Sequence, residues 1–173
     1  MNAFARLLAP AAVLMSVAAF HPPPAGAAVA VSFPNGEQAT DGSLRYDKRS
    51  RAEARVQRDI RQYLEELGER HLAAGQVLTI DVLDIDLAGE RKPWRTLADD
   101  VRILRRDAWP RIRLRYTFQE QGRTVLSAEE TVRDQYYLEN AMSRLSTDPL
   151  RYEKAMLKDW FRERFVERRP AAG

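Results

Sequence analysis

The 173-residue chain contains no cysteine. That excludes a disulfide framework, a thiolate metal site and a cysteine nucleophile, and with them a lipid-modified cysteine behind a leader. Histidine is almost as scarce, with two in all. His21 falls in the N-terminal segment, which leaves His71 alone and without a thiolate partner, too little for a His-rich metal site. The eight glycines are scattered and form no phosphate-cradling loop. Ser127, Ser143 and Ser146 stand in no nucleophile-elbow pattern. Charge of one sign is lacking too. The formal net charge is only +3 although the sequence pI is about 9.4, and acids interleave with the bases. Nucleic-acid binders gather their basic residues on one face or helix, so no nucleic-acid partner is expected.

What is present begins with an export pattern. Arg6 precedes the apolar run Leu7 to Phe20, Pro22-Pro23-Pro24 breaks it, and Ala25-Gly26-Ala27 has the A-x-A form of a cleavage site. The run falls short of the about 20 apolar residues that a spanning helix needs, and Pro10 lies inside it. Residues 1–27 therefore read as a signal peptide cleaved near Ala27. Residues 28–169 read as one domain, with 170–173 as a disordered tail and the mature protein periplasmic or secreted. No integral membrane segment is expected after signal removal. A domain of roughly 145 residues buries about two thirds of its unfolded surface.

Ala28 to Phe33 alternates like a strand, and Pro34-Asn35-Gly36 breaks it. Ser50-Arg51-Ala52-Glu53 has the capping-box pattern of a helix start. Val56, Ile60, Tyr63, Leu64 and Leu67 then share one helical face. Arg61 with Glu65 and Glu66 with Arg70 sit at ion-pair spacing on the other, and Gly75 is the stop signal. Gln76 to Leu87 is the second strand. Its apolar phase slips at Val82-Leu83, which a β-bulge explains. Residues 88–109 form a long irregular connection with Trp94, Arg95 and Trp109; connections of that length tend to be functional or mobile.

Pro110 to Glu120 alternates cleanly, with Ile112, Leu114, Tyr116 and Phe118 on one face and Arg111, Arg113, Arg115 and Thr117 on the other. Gln121-Gly122 turns the chain into a fourth strand, Arg123 to Arg133. A two-residue turn places Arg113 opposite Glu130, so the arginine row is expected to pair across strands. A second irregular segment follows. Asp148-Pro149 then starts a last helix, whose apolar stripe is Met156, Leu157, Trp160, Phe161 and Phe165. The order β-α-β-β-β-α implies an α+β two-layer sandwich: a mixed four-stranded sheet with both helices on one face. The first two strands are parallel through a right-handed crossover, and the last three antiparallel.

"LTIDVLDIDLAGE" places Asp81, Asp84 and Asp86 within six positions. As a metal site they need further oxygens, from Asp99 or Asp100, because hard cations take six to eight. As a catalytic pair, Asp84 and Asp86 lack any mark of a sugar cleft. As structural groups they accept hydrogen bonds at a strand end and pair with Arg95, Arg102 or Arg111. The structural role is the expectation, with a metal-dependent binder or hydrolase using Asp81, Asp84 and Asp86 as the alternative.

"GQVLTIDVLDIDLAGE", "DVRIL", "WPRIRLRY" and "LRYEKAMLKDWF" together resemble an exported proteobacterial family known only as a domain of unknown function. The likeness runs from "VSFPNGEQATD" to "DWFRERF". It implies a periplasmic or secreted protein and no reaction. Trp109-Pro110 stands where that family often has Tyr-Pro. The expected function is a non-enzymatic interaction or accessory module of the cell envelope, its partner an envelope protein. Its candidate binding residues are Asp84, Asp86, Trp94, Arg95, Trp109 and Arg113, with no cofactor and no catalytic residue. Peripheral association with anionic lipid is a third reading.

Overall fold

The computed structural model describes residues 27–34, 44–91 and 102–170. The expected leader and C-terminal tail, Trp94, Arg95, Asp99 and Asp100 lie outside the described residues, apart from Ala27 and Pro170.

The elements follow one another as β1 (Ala28–Ser32), α1 (Leu44–His71), β2 (Gln76–Asp86), β3 (Glu90–Arg91), β4 (Arg102–Ile103), β5 (Arg111–Glu120) and β6 (Arg123–Arg133). A 3-10 turn (Tyr137–Glu139), α2 (Ala141–Leu145), α3 (Arg151–Phe161) and a π turn (Arg162–Val166) complete the chain. One mixed sheet has the order β1-β2-β5-β6. β1 lies parallel to β2, while β2, β5 and β6 run antiparallel. This is the expected α+β arrangement.

Alternation dictates the core. Leu78, Ile80 and Val82 of β2 and Ile112, Leu114, Tyr116 and Phe118 of β5 are buried on one face of the sheet. Ile60, Leu64 and Leu67 of α1 and Met156, Leu157, Trp160 and Phe161 of α3 join them in the same cluster. Each fully buried leucine or isoleucine contributes about 1.5–3 kcal/mol relative to exposure. Phe165, on the π turn, is the centre of an aromatic group, with ring centroids 5.0 to 5.4 Å from Phe161, Trp160, Phe118 and Tyr116. Among the described residues no helix is long and apolar enough to cross a membrane.

Several local expectations differ. α1 passes through Ser50 without a break, so the capping box there is not a helix end; no proline or glycine stands between Leu44 and Ser50 to stop the helix. Glu66 and Arg70 pair as expected, at 2.9 Å. Arg61 instead reaches the sheet edge, where its Nε donates to the Val31 carbonyl at 3.2 Å and its guanidinium lies over the Phe33 ring. Asp148 caps a turn through the Leu150 N–H at 2.7 Å, and the regular α3 begins only at Arg151. The second irregular segment contains the 3-10 turn and α2.

The two sheet irregularities matter most. The register shifts between Val82 and Asp84, where Leu83 is the extra residue, as the apolar slip predicts. A second shift falls between Phe118 and Gln119, whose partners are Leu126 and Thr124, so Val125 is extra. That second bulge moves β6 by one position. Thr131, not Glu130, lies opposite Arg113, and Glu130 lies opposite Leu114 on the inner face. There its carboxylate accepts from Trp160 Nε1 at 2.7 Å and from Arg164 at 3.1 to 3.3 Å. A bulge and an inward charge are both devices that blunt an edge strand against pairing with another chain.

Candidate functional site

The helices cover one face of the sheet, and the opposite face carries the three aspartates. In an unbulged strand Asp81 would face away from Asp84 and Asp86, because side chains alternate. The extra residue Leu83 restores the phase. Asp81 therefore lies opposite Arg115, Asp84 opposite Arg113 and Asp86 opposite Arg111. A column of acids runs beside a column of arginines.

The partners are set row by row. Ser32 Oγ donates to Asp81 Oδ1 at 2.6 Å. Arg115 donates twice to Glu129, at 2.9 and 3.2 Å. Arg113 is held more loosely, with Nη1 3.9 Å from Glu129 Oε1. Arg111 donates to Asp86 through Nε at 3.1 Å and also through Nη2. That hydrogen bond, and then the Asp86 charge, raise the Arg111 pKa. The side chains of Asp86 and Arg111 are about half exposed, and exposed pairs contribute about 0–1 kcal/mol. Arg111 also faces Arg133 on its other side, like charge against like.

Of the three aspartates, Asp86 pairs with an arginine and Asp81 with Ser32, while Asp84 lies opposite Arg113 in register. Among the described residues no group of three or more His, Cys, Asp or Glu is placed to hold a metal ion. Arg102, expected among the aspartates' partners, is engaged elsewhere.

That engagement anchors the segment that follows β2. Ala88 is fully buried, and its N–H donates to Glu153 Oε1 at 2.9 Å. Arg102 Nη1 donates to the same oxygen at 2.7 Å and to the Ala88 carbonyl at 3.3 Å, and its Nη2 donates to the Pro149 carbonyl. Glu153 is fully buried, and its second oxygen has no hydrogen-bond partner among the described residues. Next door the Tyr137 hydroxyl donates to the Arg105 carbonyl at 2.7 Å and accepts from its N–H at 3.1 Å. The ring meets Tyr152 edge-on at 4.9 Å. Trp109, Leu104 and Leu138, partly buried, pack on this small second core. Gly89 has φ +77, and a Cβ there would lie 2.5 Å from the Ile103 carbonyl oxygen. Only glycine accepts both the dihedral and the close approach at no steric cost.

The structure therefore brings Asp84, Asp86 and Arg113 together on the open face and places Trp109 apart, within the second core. Sequence reasoning missed Glu153 and Arg164 as buried charges. Helical spacing carried the signal: Glu153 lies one turn before Leu157, and Arg164 one turn after Trp160, both on the apolar stripe. It also passed over Tyr136, Met142 and Leu145, which are 70%, 78% and 82% exposed.

"DIDLAG" and "YEK", distant in sequence, meet at the bond between Ala88 and Glu153. No curated protein and no solved structure matches the chain. A family model described as protein of unknown function (DUF3016) matches residues 27–163, the greater part of the chain, which belongs to that family.

Proposed function

We propose that this protein is an exported, non-enzymatic interaction module of the cell envelope. Its contact surface is the end of the open sheet face at Asp84, Asp86 and Arg113, together with the adjoining 88–109 segment, including Trp94, Arg95 and Trp109. One observation carries the proposal: the polar face of the sheet sets the acid column Asp81, Asp84 and Asp86 of β2 beside the arginine column of β5, and both long helices pack on the opposite face. Charge columns of this kind favour specific, steered association over tight apolar burial. The ion pair of Glu153 with Arg102 and the Ala88 N–H bond to the same carboxylate tie the start of that segment to α3.

Photo-crosslinking in living cells tests this. Probes at Trp94 and Arg113 should each yield a discrete adduct with one envelope protein, while a control probe at Arg58, exposed on α1, should yield none. Clean expression without adducts from either test position would overturn the proposal. Export is checked by fractionation and by the mass of the mature N-terminus, which should place cleavage near Ala27. A rise in melting temperature on adding millimolar calcium or magnesium would instead favour a metal-dependent role for Asp81, Asp84 and Asp86, by mass action.

A further inference from the structure

Arg111 and Arg133 are direct partners across β5 and β6. Opposed residues in an antiparallel pair have Cβ atoms about 4.5–5.5 Å apart, and like charges there are destabilising. Arg111 is compensated by Asp86. Arg133 is exposed and has no acidic partner among the described residues. One step along the same face, Arg113 shares Glu129 with Arg115, which holds it more closely. With Glu129 counted against Arg115, this corner holds Arg111, Arg113 and Arg133 against Asp84 and Asp86, an excess of one positive charge.

Resting on the interaction role proposed above, we infer that this corner receives a single carboxylate from an acidic segment of a partner polypeptide, seated between Arg111 and Arg133. Guanidinium groups are planar forks that match a carboxylate with two hydrogen bonds. The excess of one charge suits a monoanion, whereas Asp84 and Asp86 alongside disfavour a phosphate near its dianionic form. A polypeptide fits better than a free acid because apolar surface is nearby along the chain. Tyr136 follows Arg133 by three residues, and Met142 and Leu145 follow on α2, all strongly exposed. The Asp134 N–H, bonded to the Pro110 carbonyl at 3.4 Å, keeps the chain against the start of β5 as it leaves the sheet. The corner also lies at the end of the sheet where β2 leads into the 88–109 segment, since Asp86 is the last residue of β2.

The test uses the full mature chain and two probes: a short leucine-glutamate peptide, with its glutamine counterpart as control, and inorganic phosphate. Arginine Nε–H resonances report the site. The peptide should shift Arg133 and Arg111 saturably and leave Arg58 unmoved, and the glutamine peptide and phosphate should do much less. Arg133→Gln should weaken peptide binding about tenfold or more, the loss of one charge-assisted pair. The same substitution should leave the melting temperature unchanged or raise it, because it relieves the repulsion with Arg111. A merely structural arginine would show the reverse, with stability lost on substitution, and that result overturns the inference. So does equal or stronger response to phosphate, or equal response to the glutamine peptide. An in-cell adduct at Trp94 that persists undiminished in Arg133→Gln also overturns the carboxylate inference while leaving the interaction role standing. Absence of adducts from both Trp94 and Arg113 in the wild type removes the role itself.

Discussion

Ala88, just beyond the end of β2, donates its backbone N–H at 2.9 Å to the carboxylate of Glu153, a residue 65 positions later in the first turn of α3. The carboxylate is fully buried, and the Arg102 side chain that shares it is 12% exposed. Three separate segments are held by one oxygen atom. Desolvation makes such a pair a weak source of net stability, yet removing one partner strands the other charge.

Glu153→Ala is therefore expected to cost about 3–5 kcal/mol, because Arg102 and the Ala88 N–H lose their acceptor together. Replacing Glu153 and Arg102 jointly by leucine should cost much less, since no charge is left buried. Urea unfolding of the two variants decides the matter. Equal losses would mean that the clamp contributes through its net attraction rather than through mutual neutralisation.

Asp86→Ala should behave differently. Its partner Arg111 is about half exposed, so the expected loss is below about 1 kcal/mol. Limited proteolysis within residues 88–108 should be unchanged in Asp86→Ala and clearly faster in Glu153→Ala. The opposite order would assign the anchoring of that segment to the aspartates.

The contrast shows what the sequence makes legible. The bulge in β2 was readable because the apolar phase slips at Val82-Leu83, and the same slip brings Asp81 into line with Asp84 and Asp86. The parallel pairing of β1 and β2 followed from the helical crossover between them, and the apolar faces of α1 and α3 from periodicity. The register of β6 did not. Its extra residue, Val125, adjoins Leu126, but only Arg123 and Thr124 precede it in the strand, so no established apolar alternation is broken there. Glu130 is turned inward toward Arg164, a partner 34 residues away, and no local pattern encodes a contact at that separation. The aspartates were legible as a cluster, but the residues opposite them were fixed by strand register, which the β2 bulge sets.

Gly89 and Gly122 share φ +77, which separates backbone strain from close approach. A Cβ at Gly122 meets nothing within 4 Å, whereas at Gly89 it would meet the Ile103 carbonyl oxygen at 2.5 Å. Gly122→Ala should cost about 1–2 kcal/mol, the left-handed penalty alone. Gly89→Ala should cost more, because β4 must also move. Melting temperatures of the two variants provide the comparison, and equal shifts would mean that the approach of Gly89 to β4 is readily relaxed.

Glu130 supplies a pH-dependent contribution. Burial disfavours its ionised form, but the hydrogen bonds from Arg164 and Trp160 outweigh it and hold the carboxyl below its ordinary value of 4.5. A carboxyl lowered in the folded state binds fewer protons there than in the unfolded chain. Its contribution is therefore fully present above 4.5 and is lost as pH falls through the folded value. Asp148 acts in the same direction: burial opposes its ionisation, and Lys154 and the Leu150 N–H outweigh it. Asp134, raised chiefly by burial, acts the other way. Glu130→Gln should thus flatten the acid limb of the stability profile without abolishing it. The Trp160 indole N–H, which donates to Glu130 at 2.7 Å, gives a direct readout, and its resonance should move with a midpoint below 4.5. A midpoint above that value would show that burial wins over the Arg164 pairing, and the loss of stability would then begin at higher pH.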